Sequence, residues 1–402
     1  MAEKKGFNPQ FFIDDKTREI RRILGKEKAI IACSGGVDST TGAVLTRLAI
    51  GDNLICVFMD TNFMRLGEPE RVVGMLSEPP LGLPVRLLQA QEKFMKAMRG
   101  LKDAEEKRKA FRSTFYTVLS GAAAEENCHF LVQGTILPDI IETVKGIKTQ
   151  HNVLEQMKID TKKVYGFKVV EPLVSLYKPQ VREVARMLGA PLEASERQPF
   201  PGPGLSVRVV GEITPEKLDA EKKATVIVEE KLERLSPKQY FPATIDAKTV
   251  KYAGAKEAED AISGLLKGKD VTVKVQALKT RATGIRAGAR LYGKIVTVDA
   301  RNKSGICAAL PSKTLSNIQE RVTLMDKDVS RVLYQLMDEE RKGKWVVAVR
   351  AIETSDFVTA KASDIPWKTL REIGEQVMGS CGDVATVYYD ITPKPPASIE
   401  FE

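Results

Sequence analysis

The sequence has little of what metal-binding, secreted or membrane proteins usually need. It has five cysteines, at positions 33, 56, 128, 307 and 381, and no C-x-x-C pair, so neither a zinc site nor a disulfide framework is indicated. No apolar run approaches the ~20 residues that span a bilayer, and the first residues lack the apolar core of a signal peptide. We therefore expect a cytoplasmic protein with reduced, mostly structural cysteines.

Charge narrows the class of partner without deciding it. The formal net charge is +9, and lysine and arginine are spread along the 402 residues rather than gathered in one tail. A basic excess suits small polyanions such as nucleotides, and it would also suit RNA. Composition alone leaves both classes of ligand open.

One stretch has the pattern of a phosphate-binding turn. The apolar residues 29–32 precede residues 33–39, and a helical pattern then runs to Gly51. Two adjacent glycines allow close approach to an anion, two serines add hydroxyl donors, and a helix N-terminus adds partial positive charge. Asp38 would repel a bare phosphate, so we expect it to hold a bridging Mg²⁺. The pattern G-x-x-x-x-G-K-[ST] occurs nowhere in the chain, which excludes the common nucleotide loop.

This stretch resembles the PP-loop of the N-type ATP pyrophosphatases. In that family the loop holds the β,γ-diphosphate of ATP, which is cleaved to AMP and pyrophosphate. The resemblance implies that ATP is a substrate and that its contacts include Ser34, Gly35, Gly36, Val37, Asp38 and Ser39. The plainer alternative is a glycine-rich turn between a strand and a helix that binds no ligand.

Apolar runs alternate with helical patterns through the first half of the chain. Runs at residues 54–59, 85–88, 130–132 and 169–170 are typical of buried strands. The alternation predicts an α/β fold in which a parallel sheet carries helices on both faces; the resemblance makes it adenine nucleotide alpha hydrolase-like. Ligands bind such sheets at the carboxyl ends of the strands, where residues 34–39, 60 and 133–135 lie.

The pattern changes near residue 195. Three prolines and two glycines within residues 199–204 suit neither helix nor strand. We therefore predict a PP-loop domain at 1–195 and a smaller α+β domain for substrate binding and dimerisation at 196–402. Within it, the sequence assigns no role to residues 243–343. Residues 293–300 and 343–350 are similarly patterned, which indicates either a duplicated strand–helix–strand unit or a chance likeness.

Four longer motifs narrow the family. Residues 133–142, 147–153, 199–205 and 394–400 together resemble the ATP-pyrophosphatase subunit of GMP synthetase, and the resemblance covers about 7–242 and 344–402. That family adenylylates the C2 oxygen of xanthosine 5′-monophosphate (XMP) with ATP, and ammonia then displaces AMP to give GMP. Residues 281–292 resemble the family segment V-G-V-x-G-D-x-R-x-Y, except that Gly288 replaces the aspartate.

The resemblance assigns roles to particular residues. For the ATP site it implies Asp38, Lys148 and His151 as catalytic groups, Asp38 and Asp139 on Mg²⁺, and further ATP contacts at Val57, Phe58 and Gly134. Residues 144–165 would form a lid, although Gln150 stands where the family often has a second histidine. For XMP the resemblance implies Arg108, Gln239, Lys394 and Glu400.

Some of these residues have plainer alternatives. Val57 and Phe58 also suit a core strand, and Asp139 also suits a helix cap after Pro138. Arg108 belongs to a Lys-Arg-Lys run that would ordinarily be a solvated helix face.

The resemblance also implies partners. No Gly-x-Cys-x-Gly elbow occurs in the sequence, so we expect ammonia to be used free or to come from a separate glutaminase subunit, as in the two-subunit GMP synthetases of archaea. A homodimer is expected, with no membrane or nucleic-acid partner. A PP-loop tRNA-modifying enzyme is the main alternative, and a third hypothesis treats residues 243–343 as a non-catalytic docking insertion.

Overall fold

The computed structural model describes residues 7–144, 160–191, 200–338, 343–356 and 358–402. The chain divides into two compact units, Met1–Ala97 with Ala110–Gly202 and Met98–Lys109 with Pro203–Glu402. The second unit has the longer share of the chain. The sequence did not indicate that residues 98–109 belong with this unit rather than with the first.

The first unit is built on a parallel sheet. Its strands are β1 (Lys28–Ala32), β2 (Leu54–Asp60), β3 (Val85–Gln89), β4 (Cys128–Val132) and β5 (Lys168–Val170). They lie in the order β3-β2-β1-β4-β5, and every neighbouring pair is parallel. The predicted α/β fold class is therefore confirmed.

Helices connect these strands and cover the sheet. Those described before residue 200 are α1 (Pro9–Leu24), α2 (Val37–Ile50), α3 (Glu68–Ser77), α4 (Gln91–Met98), α5 (Ala104–Glu125), α6 (Leu137–Val144), α7 (Thr161–Tyr165) and α8 (Lys178–Met187). Local sequence explains several boundaries. The Asn8 side chain accepts a hydrogen bond from the backbone N–H of Phe11 at the start of α1, and Gly25 ends that helix with a positive φ.

The second unit contains a mixed sheet of eight strands. They are β6 (Gln239–Asp246), β7 (Thr249–Val250), β8 (Val271–Arg286), β9 (Ala289–Asn302), β10 (Val329–Asp338), β11 (Trp345–Glu353), β12 (Lys361–Ala362) and β13 (Val384–Asp390). Along the sheet the order is β12-β11-β13-β10-β9-β8-β7, and β6 pairs antiparallel with β11. The strands predicted near residues 271, 295, 345 and 384 are all confirmed.

Four helices supply side chains to the apolar core of this sheet. They are α9 (Pro215–Glu233), α10 (Ala255–Leu265), α11 (Ser312–Met325) and α12 (Trp367–Ser380), and all contribute to one continuous cluster. A second apolar cluster contains Val210, Phe241, Leu333 and Phe401. Among the described residues, no helix is long and apolar enough to cross a membrane.

Gly288, the departure from the family motif, lies in the turn between β8 and β9. Ala287 and Gly288 form a two-residue connection, and both have positive φ, 48° and 77°. Such a turn favours glycine because it matches the twist of a hairpin. The structure thus gives this glycine a conformational reason.

Candidate nucleotide-binding site

The predicted phosphate-binding turn joins the carboxyl end of β1 to α2. Gly35 has a φ of 74°, in the left-handed region, and Gly36 is the residue before the helix. The two serine hydroxyls lie 3.0 Å apart, and the backbone N–H of Gly36 donates to Ser34 Oγ at 3.3 Å. Backbone donors and hydroxyls are thus gathered at the N-terminus of a 14-residue helix, which suits an anion.

Asp38 has one paired and one unpaired carboxylate oxygen. Its Oδ2 accepts a hydrogen bond from Lys178 Nζ at 2.6 Å. Its Oδ1 is buried and has no hydrogen-bond partner among the described residues. Burial raises the pKa of Asp38, and the positive charge of Lys178 opposes that rise. A buried oxygen without a donor is suited to bind a cation.

Asp139 is the third residue of α6 and not the cap residue before the helix that the sequence offers as its alternative; its role as a metal ligand stays a prediction. Its Oδ2 accepts from the backbone N–H of Ile136 at 3.1 Å, next to the start of α6. Its negative charge also contributes to the raised pKa of Asp38. In the part of the chain that is described, no group of three His, Cys, Asp or Glu residues could hold a metal. A cation here would therefore take most of its oxygen ligands from phosphate and water.

Gly134 is required by the packing of the loop. A β-carbon at this position would lie 2.8 Å from both the carbonyl carbon of Asp38 and the backbone nitrogen of Ser39. The family resemblance explains this glycine by the approach of a nucleotide, whereas in the structure the loop backbone itself occupies the space. ATP contact at Gly134 stays a prediction.

Val57 and Phe58 are almost fully buried in β2. The carbonyl of Val57 accepts from the backbone N–H of Cys33 at 2.7 Å, directly before the loop. These observations fit the core-strand alternative for the two side chains, and adenine contact stays a prediction. Lys148, His151 and Gln150 lie outside the described residues.

Lys178 is a site residue that sequence reasoning missed. It begins α8, and Pro179 follows it at the second helical position. A lysine at a helix start soon after the fifth strand of a parallel sheet was the available signal, because that position lies on the same edge as the loop.

In the second unit, all four predicted XMP contacts lie in or against residues 394–402, here called the 394–402 segment. Gln239 Nε2 donates to Glu400 Oε1 at 3.3 Å, and Arg108 donates to the carbonyl of Glu402. Arg208, which sequence reasoning also missed, donates to both oxygens of Glu400 at 3.1 Å. Lys394 lies at the other end of the segment, where its main chain pairs with Ala360.

The Lys-Arg-Lys run is not a fully solvated face. The side chain of Lys107 is 0 % exposed and pairs with the Glu402 carboxylate. Its Nζ also donates to the carbonyls of Ser206, Val209 and Gly211 at 2.8–3.1 Å. Burial lowers the pKa of Lys107, and Glu402 opposes that change. The neighbouring Arg108 is mostly buried as well, with 28 % of its side chain exposed.

The fold and the loop define a nucleotide-binding α/β protein. Comparison with known proteins then gives the family. This chain is 42 % identical over 396 residues to the B subunit of the glutamine-hydrolyzing GMP synthase of Sulfurisphaera tokodaii, covering 98 % of this chain and 100 % of the relative. The corresponding protein of Methanopyrus kandleri is 41 % identical over 406 residues, with the same coverage. The chain therefore belongs to the family of GMP synthase B subunits.

Two further comparisons are more local or more distant. The family model for the GMP synthase C terminal domain matches residues 335–401. A solved NH3-dependent NAD synthetase from Campylobacter jejuni has 18 % identity and a TM-score of 0.37, covering 57 % of this chain and 89 % of its own.

Replacing Gly134 with alanine tests the packing of the loop. Because the added β-carbon would overlap the backbone of residues 38–39, Gly134→Ala should weaken ATP binding about tenfold or more, from an overpacking cost of about 1–3 kcal/mol. Calorimetric titration with Mg-ATP measures this. Gly121→Ala, where nothing lies within 4 Å, is the matched control, and equal affinities in both variants would contradict the assignment.

Replacing Lys178 with methionine tests the charge balance at Asp38. Lys178 lowers the pKa of Asp38, so its removal should raise that pKa, and the carboxylate should then form only at higher pH. The acidic limb of the pH profile for Mg²⁺-dependent ATP turnover should shift upward. Lys96→Met, on α4, serves as the control. A profile unchanged in Lys178→Met would show that Asp38 does not set the acidic limb.

Proposed function

We propose that this chain catalyses the ATP-dependent amination of XMP to GMP. ATP would transfer AMP to the C2 oxygen of XMP and release pyrophosphate, and ammonia would then displace AMP. The observation that carries the proposal is full-length similarity to GMP synthase B subunits, in a chain whose loop gathers donors for a diphosphate. The RNA-modifying alternative has no comparable support.

In this proposal the loop holds the diphosphate of ATP. The backbone N–H groups of residues 34–37 and the hydroxyls of Ser34 and Ser39 would donate to phosphate oxygens. Asp38 would hold Mg²⁺ through its Oδ1, with Asp139 nearby. When bound, the cation would neutralise phosphate charge. Lys178, which pairs with Asp38, would add positive charge at the same site.

The XMP site is proposed at the 394–402 segment. Arg108 and Lys394 would contact the phosphate, and Gln239 with Glu400 would pair with the amide edge of the base. Arg208 holds both oxygens of Glu400, and its guanidinium carbon lies 4.1 Å from the centre of the Phe241 ring. We propose that Arg208 holds the Glu400 carboxylate in a fixed orientation as an acceptor.

The partner proposed is a separate glutaminase subunit. The relatives are named as B subunits, and no Gly-x-Cys-x-Gly elbow occurs in this sequence. Ammonia would therefore come from another chain or from solution. The catalytic roles of Lys148 and His151, the homodimer and a cytoplasmic location stay predictions.

Pyrophosphate release by the isolated chain tests the proposed reaction. With Mg-ATP and ammonium chloride present, XMP should stimulate release and GMP should accumulate in equal amount, because pyrophosphate and GMP come from one reaction sequence. Inosine monophosphate and a sample without monophosphate are the controls. Release that no monophosphate stimulates, across a range of magnesium and ammonia, would contradict XMP as the substrate.

Replacing Lys394 with alanine tests the proposed phosphate contact. Lys394→Ala should raise KM for XMP by about tenfold or more, because a charged hydrogen bond contributes about 1.5–3 kcal/mol. KM for ATP should change little. Lys361→Ala, at an exposed position of β12, is the control, and equal effects on both KM values would mean that the XMP assignment is misplaced.

A further inference from the structure

The region whose role the sequence left open contains a second copy of the surrounding fold. Residues 255–338, here called the inserted repeat, run α10-β8-β9-α11-β10. The outer repeat is made of residues 215–246 and 345–390, and it runs α9-β6-β11-α12-β13, with the two-residue strand β12 between β11 and α12. In each repeat the second and third strands are parallel and joined through a helix.

Sequence and packing agree that this is a duplication. Both α11 and α12 have 14 residues and begin at the same place within a Pro-x-Lys-Thr-Leu motif. Leucine, isoleucine and valine are buried at equivalent positions 55 residues apart, at Leu315, Ile318 and Val322 in α11 and at Leu370, Ile373 and Val377 in α12.

Two glycines make the same close approach in the two repeats. A β-carbon on Gly293 would lie 2.5 Å from the Asp328 carbonyl oxygen, and one on Gly343 would lie 2.6 Å from that of Asp383. The next backbone N–H donates to the same carbonyl in each case, at 2.7 and 2.8 Å. Duplication therefore explains the pattern better than chance likeness does.

The 394–402 segment is held by both repeats. From the inserted repeat, the backbone N–H of Ile285 donates to the Pro396 carbonyl, and that of Thr283 donates to the Phe401 carbonyl, both at 2.7 Å. From the outer repeat, Arg350 Nη2 donates to the Ser398 carbonyl at 3.0 Å. The segment thus needs groups from each copy.

Arg331 supplies side-chain hydrogen bonds from the inserted repeat to the segment. It is fully buried, and its Nη2 donates to the carbonyls of Ser398 at 2.9 Å and Glu400 at 2.6 Å. Its Nη1 donates to Asp390 at 2.8 Å. The 55-residue shift places Thr386 at the equivalent position of the outer repeat, so only the inserted copy supplies this arginine.

We propose that the inserted repeat positions the 394–402 segment for nucleotide binding, and that it does so within one chain. Arg331 and the main chain of residues 283–285 are the positioning groups, and Gln239 and Glu400 are the groups they help to align. The expected effect on XMP binding rests on the proposed function. The expected effect on the conformation of the segment does not. The region is then no dispensable docking insertion, and the segment needs no second copy for its support.

Gly284 offers a sharp test. A β-carbon there would lie 2.5 Å from the Pro396 carbonyl oxygen and 2.9 Å from Ser330 Cβ. Gly284→Ala should therefore displace the segment and raise KM for XMP by at least about tenfold, with KM for ATP unchanged. Gly293→Ala is the matched control, because its β-carbon meets the same Ser330 at 2.9 Å but not the segment. It should lower thermal stability without this split in KM.

Hydrogen exchange separates this proposal from the proposed reaction. Without any ligand, a peptide covering residues 391–402 should exchange faster in Gly284→Ala than in Gly293→Ala. If exchange and KM for XMP are the same in both, the positioning role is overturned. If the wild-type chain does not bind XMP while the exchange difference appears, the proposed substrate fails and the positioning of the segment stands.

Arg331→Lys tests the same positioning role if Gly284→Ala does not fold. Lysine keeps a charge beside Asp390 but lacks the planar fork that reaches two carbonyls. The same split in KM and the same faster exchange are expected, and wild-type values for both would overturn the proposal.

Mixing variants tests whether the support is within one chain. Arg331→Lys mixed with Glu400→Gln should show only the summed activity of the two. Activity above that sum would mean that a second copy supplies Arg331, which would overturn the single-chain arrangement.

Discussion

Two buried arginines share one buried carboxylate in the second unit. The placement of the candidate XMP-binding residues depends on that cluster. Arg331 and Arg350 donate to Asp390 Oδ2 at 2.8 and 2.7 Å, and all three side chains are fully buried. Burial alone would raise the pKa of Asp390, but the two guanidinium groups hold it below its ordinary value. Removing one partner from such a buried cluster commonly costs about 3–5 kcal/mol.

The remaining donors of the two arginines explain why the 394–402 segment is ordered. Stretches outside helices and strands are usually mobile unless other contacts hold them. Here the carbonyls of Ser398 and Glu400 accept hydrogen bonds from the Nη2 groups of the two arginines, whose Nη1 groups are held by Asp390. The arginines and the segment depend on each other, because a buried donor left without an acceptor is costly.

The fold of the first unit could be predicted from local sequence patterns. The loop at 34–39 and the parallel sheet follow from strand and helix signals that lie within a few residues of each other. The burial of Lys107 could not be predicted in this way, since its carbonyl partners lie about a hundred positions away, at residues 206–211. Gly134 was predicted as a site residue from the sequence. The close packing that requires a glycine there could not be predicted, because it depends on the position of α2 relative to β4.

The duplication also resolves a problem of sheet edges. In the outer repeat, β13 would have only β11 beside it, and in the inserted repeat β10 would have only β9; each would leave an exposed edge strand. Antiparallel pairing of β10 with β13 covers both edges. Within one chain this pairing is intramolecular, so its entropic cost is that of closing a loop rather than of associating two molecules.

The same pairing brings Arg331 and Asp390 together, since they lie on these two strands. The joint between the repeats and the support for the 394–402 segment are therefore one structure. A change that loosens the pairing of β10 with β13 should reach the segment through the shared carboxylate. The inserted repeat is consequently connected to the candidate XMP-binding residues through hydrogen bonds. This connection cannot be predicted from the sequence of the repeat alone.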